Sequence, residues 1–273
     1  MRCWMNQGTT MCFNNIQKDI EYCSRYGFEA VELKYSLICN CDQIWIKELL
    51  HRNKIHVGSI GAVQLPILRD DEVKRKREDR LRDLCQYADT LHAEYIIIIP
   101  PRGVMDIEKC RIMEDAAKIL ERYSEIAREY NVKLALEIMG FWDSWIGTIK
   151  DGLQIVHMTK QNNIGIVYDF YHVLGMKDLG ETILEVKPEN IFIVHVNDGN
   201  SCIAGYYDDD NRLWPYDGVV DIGRQMSMLQ RVGYQGPFSM EVYQSQGWTF
   251  DMQECYRISR NRMRMIRSLC QYN

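Results

Sequence analysis

The sequence predicts an α/β chain folded as one (β/α)₈ barrel, and three observations carry the prediction. Short apolar runs alternate with longer amphipathic stretches from one end to the other, eight of each. The 273 residues divide into units of about 34, close to the ~30 or more that one strand–helix–strand unit occupies. The runs YIIIIP, IGIVYD and IFIVHV are apolar almost throughout, as strands buried on both faces of a parallel sheet must be. Alternating strands and helices also build open doubly wound sheets; the eightfold repetition favours closure into a barrel. The expectation is a single domain over residues 1–273.

The elements follow in order. Arg2–Asn6 is the first strand candidate and Asn14–Tyr26 the first helix, stopped by Gly27 before the strand Ala30–Lys34. Asp42–Asn53 reads as a helix and His56–Val63 as the third strand. The next helix, Asp71–His92, contains the charged run Glu72–Arg82, whose alternating signs at helical spacing read as a solvated face. Tyr95–Pro100, the helix Asp106–Tyr130 and the strand Lys133–Met139 come next, with Asn131 as the helix stop. Lys150–Gln161 leads into the strand Gly165–Asp169, and Asp178–Val186 into Ile191–Val196, with Pro188 where a helix cannot continue. After the longest insert, Asn197–Asp221, the chain closes with the helix Asp221–Val232, the strand Pro237–Val242 and the helix Met252–Leu269. Gly233 stops the first of these two helices, and long loops in compact chains are usually functional or mobile.

Bulk properties exclude several classes. Hydrophobic residues at 46% and charged residues at 26% are ordinary for a globular chain. A net charge of −5 argues against general nucleic-acid binding. No apolar run approaches the ~20 residues of a membrane span, and MRCWMNQGTT has no signal-peptide core. The ten cysteines are irregularly spaced with no C-x₂-C pair, which favours reduced thiols and a cytoplasmic setting.

Active sites of such barrels lie at the carboxyl ends of the strands. Four consecutive strands end with Glu137, Asp169, His195 and Glu241, and the second contributes Glu32. One carboxylate alone reads as a helix cap or a lysine partner, and one histidine as a hydrogen-bonded core residue. Three carboxylates converging in an apolar barrel would repel strongly unless a cation joined them. Three oxygens and one imidazole suit Mn²⁺, Zn²⁺, Co²⁺ or Fe²⁺ better than Ca²⁺. Arg212, in the loop NRLWPYDG, can reach over the barrel mouth to an oxygen-rich ligand or can be a solvated surface residue. Phe141, Trp142 and Trp145 can wall the pocket or simply pack their loop.

The segments LALEIMG, NIGIVYDFYHVLGM, IFIVHVNDG, NRLWPYDGVVDI and FSMEVY resemble the xylose isomerase-like TIM barrel superfamily of sugar isomerases, epimerases and endonuclease-IV-type enzymes, over essentially the whole chain. The resemblance implies one divalent ion (Mn²⁺, Zn²⁺, Co²⁺ or Mg²⁺) on Glu137, Asp169, His195 and Glu241. It implies substrate binding by His172, three residues after Asp169, and by Arg212. Asn211 stands where the family's loop has an acid, and Tyr216-Asp217-Gly218 is longer than its Pro-Gly. The endonuclease-IV type needs further histidines after strands three and four. Here Ser59-Ile60-Gly61 and Pro100-Pro101-Arg102 stand there, so a trinuclear zinc site cannot be assembled.

The resulting expectation is a metal-dependent isomerase that moves a carbonyl on a keto-inositol or related ketose. Glu137 and Glu241 would take and return a proton through an enediolate. A ketose 3-epimerase, a dehydroshikimate-type dehydratase and a non-catalytic ligand-binding barrel are the alternatives. The expected partner is a small polyol or ketose, with no nucleic acid and no membrane; homo-oligomerisation stays open.

Overall fold

The structure is a computed structural model, and it describes residues 1–103, 106–200, 208–243 and 247–270. Eight parallel strands close into a barrel: β1 Arg2–Asn6, β2 Ala30–Lys34, β3 His56–Gln64, β4 Tyr95–Ile99, β5 Lys133–Glu137, β6 Ile164–Asp169, β7 Ile191–Val196 and β8 Pro237–Met240. Each pairs with its neighbours in sequence, and β1 pairs with β8 to seal the cylinder. The predicted barrel is therefore the fold.

Among the described residues, a single α-helical turn, Tyr35–Ile38, follows β2, and seven longer α-helices pack outside: α1 Ile16–Tyr26, α2 Gln43–Asn53, α3 Asp71–Leu91, α4 Lys109–Glu129, α5 Ile149–Thr159, α6 Ile222–Arg231 and α7 Met252–Leu269. Six of them begin on a side chain that accepts a hydrogen bond from the first turn: Asn15, Asp42, Asp70, Thr148, Asp221 and Asp251. Such caps satisfy amides that the helix leaves open. Gly27, Asn131 and Gly233, the expected helix stops, all stand at positive φ.

The helix expected over Asp178–Val186 is not α-helical. A 3₁₀ turn, Glu181–Glu185, replaces it. The Asp178 carboxylate accepts from the N–H groups of Gly180 and Thr182, and Gly180 adopts φ +82°. A side-chain-locked turn thus starts where the first helical turn would have to form. Strands β5 and β8 also end two residues earlier than expected, at Glu137 and Met240.

Period-two alternation organises the interior. Trp4, Ala30, Tyr95, Ile97, Ala135, Val167 and Ile193 belong to one cluster inside the barrel. A larger cluster fills the space between strands and helices. Two residues beyond Trp4, Ala30, Ala135, Val167 and Ile193 come Asn6, Glu32, Glu137, Asp169 and His195. The same alternation that packs the core turns these polar side chains inward at its upper end.

Candidate metal centre and pocket

Strand register sets the site. Asp169 is level with His195, Glu137 with Val167, and Ser239, two before Glu241, with His195. Ligand atoms of Glu137, Asp169, His195 and Glu241 therefore all lie within 4.8 Å of one another, and all four residues are buried. Nδ1 of His195 is the focus. Glu241 Oε2 is 2.9 Å from it, Glu137 Oε1 3.3 Å and Asp169 Oδ2 3.6 Å. On the far side of the ring, Nε2 lies 3.3 Å from Glu32 Oε1, close enough for an ion pair though off the line of a hydrogen bond. Glu32 also accepts from Ser59 and Asn6.

The charges test whether a divalent ion fits. Four buried carboxylates, Glu32, Glu137, Asp169 and Glu241, face two cations, Lys34 and Arg212. With a neutral imidazole, two negative charges remain, and one divalent cation cancels them. Without a cation, protonation of His195 compensates in part. Burial alone would lower its affinity for a proton, but Glu241 and Glu32 outweigh burial and hold it well above the ordinary imidazole range. Burial likewise opposes ionisation of Asp169 and Glu241. Arg212 beside the first, and His195 and Lys34 beside the second, hold both below the usual carboxylate range. An oxygen-rich donor set with one imidazole, short of two positive charges, suits a divalent ion.

Arg212 and His172 converge on this cluster. Arg212 Nη1 donates to Asp169 Oδ2 at 2.8 Å, Nε donates to Asp209 Oδ1 at 3.2 Å, and Nη2 lies 3.2 Å from His172 Nε2. The guanidinium also lies over the Tyr171 ring at 4.7 Å. Arg212 is buried, so the solvated-surface alternative for it does not hold. Burial pushes the His172 imidazole below its ordinary range, which keeps it neutral. Phe141 meets it edge-on at 4.8 Å. Trp142 and Trp145 do not wall this cavity: both line a separate outer groove, with the Trp145 indole N–H on the Gly103 carbonyl.

The arginine's loop is tied down by a residue not singled out in the sequence. Asp198 is buried and accepts from the N–H groups of Gly199, Tyr216, Gly218 and Val220. Asp198–Gly199 then pairs antiparallel with Arg212–Leu213. Further along, Trp214 stacks on Trp248 and Trp248 on Phe250, while the Trp248 indole donates to the Thr9 carbonyl. Residues 201–207 of the expected insert, Cys202 among them, lie outside the described residues. The other nine cysteines are free thiols.

Two more residues complete the site. Asn197 donates to Asp169 Oδ2 and to the Glu241 carbonyl, and its own oxygen accepts from the Tyr171 N–H. Lys34, the last residue of β2, donates to Glu241 Oε1 at 3.1 Å. Its place two residues after Glu32 was the available signal. A cavity of about 170 Å³ opens above the cluster, lined by Asn6, Glu32, Lys34, Glu137, His195, Arg212, Glu241 and Tyr243 among others.

Known proteins share this architecture. The inosose isomerase of Halalkalibacterium halodurans is 26% identical over 268 residues, covering 96% of this chain and 94% of that protein. The 1.8 Å crystal structure of the IOLI protein with a zinc atom superposes with a TM-score of 0.92 at 22% identity, covering 100% of this chain and 99% of that one. D-psicose 3-epimerase from Clostridium cellulolyticum H10, solved with D-tagatose, reaches a TM-score of 0.80 at 16% identity, covering 98% and 99%. These last two likenesses speak to the fold. A sequence model of the xylose isomerase-like TIM barrel matches residues 20–265, and the chain belongs to that family.

Proposed function

We propose that this chain is a divalent-metal-dependent isomerase that moves a carbonyl between neighbouring carbons of a keto-inositol or related polyol ketose. The observation that carries the reading is the convergence of Glu137 Oε1, Asp169 Oδ2 and Glu241 Oε2 on His195 Nδ1 beneath a cavity. The similarity to inosose isomerases along nearly the whole chain supports the substrate class. These four residues would hold the ion, which when bound polarises a carbonyl and its neighbouring hydroxyl and so acidifies the C–H between them.

The chain's own groups then do the rest. Arg212 lines the cavity and would present N–H groups to substrate oxygens, with neutral His172 beside its Nη2 as the second expected substrate-binding group, and the buried guanidinium favours the oxygen that gains negative charge. Glu137 and Glu241 are two of the carboxylates that line the cavity, and a proton taken from the substrate C–H would be held on this pair, on one of them or on both. Ile97, Ile99 and Met139 supply apolar wall to the cavity beside these polar groups. Epimerisation would use the same pair of carboxylates from opposite faces.

Incubation of the metal-loaded protein with an inosose in D₂O, followed by NMR, tests the reading. Deuterium should enter at the carbon beside the carbonyl, and a positional isomer should accumulate. Exchange with inversion at one centre would establish the epimerase alternative, and absence of both exchange and product would remove both.

A further inference from the structure

The two glutamates of the site are not equivalent. Both oxygens of Glu241 are engaged: Oε2 faces His195 Nδ1 at 2.9 Å with Arg212 Nη1 at 3.6 Å, and Oε1 accepts from Lys34 Nζ at 3.1 Å. Glu137 is engaged through Oε1 alone, by His195 at 3.3 Å and His172 at 3.9 Å. Among the described residues nothing pairs with its Oε2, and Glu137 lines the cavity.

Lys34 is held to this contact from behind. Its backbone N–H donates to Gln7 Oε1 at 2.9 Å, and Gln7 Nε2 donates to the buried Asp19 at 3.1 Å. The lysine side chain passes so close to Gly8 that a Cβ there would stand 2.9 Å from Lys34 Cε. A glycine at position 8 thus leaves the channel through which the ammonium reaches Glu241.

We propose that Lys34 is a specificity-determining positioning residue, clamping the second oxygen of Glu241 so that Glu137 alone exchanges a proton with substrate carbon. The inference rests on the isomerase reading above and narrows it. One carboxylate removes and returns a proton on one face of the substrate; inverting a centre needs a second acceptor on the opposite face. In the single-base course the C–H proton passes through Glu137 to the former carbonyl carbon. The C–H bonding pair becomes the π bond of the enediolate, and the hydroxyl proton passes between the two neighbouring oxygens. Atoms and charge balance with no co-reactant, and the carbonyl has moved by one carbon.

The test compares the parent with Lys34→Met, Lys34→Arg and Gly8→Ala, each brought to equal metal content. With an inosose, the parent should give the carbonyl-shifted product without the epimer. Lys34→Met should raise the epimer-to-isomer ratio by about tenfold to a hundredfold, the scale of one charge-assisted hydrogen bond. Gly8→Ala should move it the same way by less, and Lys34→Arg should keep the parental ratio. A parent that forms epimer freely, or a Lys34→Met ratio equal to the parent's, overturns the proposal. The Co²⁺-loaded proteins supply a readout that needs no substrate. Freed from Lys34, the second oxygen of Glu241 can join the ion, and a higher coordination number weakens and shifts the visible Co²⁺ absorption. An unchanged Co²⁺ spectrum in both Lys34→Met and Gly8→Ala overturns the clamp, whereas failure of the parent to turn over an inosose removes the functional reading and leaves the spectra to decide on Lys34.

Discussion

Two carboxylates, Asp169 and Asp19, are buried to nearly the same degree, and their environments give them opposite characters. Asp169 is 2% exposed and lies 2.8 Å from the Arg212 guanidinium, which holds it ionised. Asp19, on α1, is 1% exposed and has only neutral donors: the hydroxyl of Thr10 at 2.5 Å, that of Tyr256 at 2.9 Å and the Gln7 amide at 3.1 Å. Burial pushes its pKa up to about 7 despite them. Removal from water disfavours charge in both places. A cation next door decides which group keeps it. The barrel mouth is built to retain negative charge, and the cluster behind it to do without.

Either side of this contrast can be broken. Asp169→Asn should have the largest effect on the metal-free fold, because Arg212 would lose its shortest ion pair inside the protein. Breaking a buried pair costs about 3–5 kcal/mol, and the lower end is expected here because Asp209 and Glu241 stay near the guanidinium. A shift in urea midpoint of the corresponding size checks this; an unchanged midpoint would mean that the pair carries little of the site's order.

Arg212→Ala comes next. Loss of a charged hydrogen-bond donor should raise KM by about tenfold to a hundredfold, with metal content unchanged because all four candidate ligands remain. Kinetics equal to the parent's would remove Arg212 from substrate binding.

The other side of the contrast is broken by Asp19→Asn, whose effect appears as a pH dependence. The folded-state pKa of Asp19 stands above its ordinary value of 3.8. Its stabilising contribution is therefore fully present below about pH 3.8 and is lost as pH rises through about 7. A tenfold difference in proton affinity between folded and unfolded chain corresponds to about 1.4 kcal/mol, so the change amounts to a few kcal/mol at most. Denaturation of Asp19→Asn between pH 4 and 8 should show a flatter profile than the parent. Parallel profiles would show that Asp19 ionises in the folded state as readily as in the unfolded one.

Much of this was legible in the sequence because it obeys a period. Glu137, Asp169 and His195 end apolar strands at inward positions, and the register brings them together without help from any loop. What the sequence hides is what long-range contacts decide. Arg212 sits in a loop whose position depends on Asp198 collecting four backbone amides and on Trp214 stacking against Trp248, 34 positions away in number but adjacent in space. Lys34 ends a strand, where a lysine ordinarily reaches solvent. The room left by the glycine at position 8 lets it turn inward, toward Glu241 first and Glu137 and Glu32 beyond. The failed helix after β6 shows the reverse: local chemistry at Asp178 and Gly180 overrides the apolar spacing of Ile183 and Val186.

The central claim is that Glu137, Asp169, His195 and Glu241 form one centre for one divalent ion. Metal analysis of protein purified without chelator tests it most directly, with the Glu137→Ala, Asp169→Ala double variant run alongside. The parent should carry close to one equivalent of a divalent metal and the folded double variant almost none. Full occupancy persisting in the double variant would contradict the account, because two of the four convergent groups would then be dispensable for the ion they are proposed to hold.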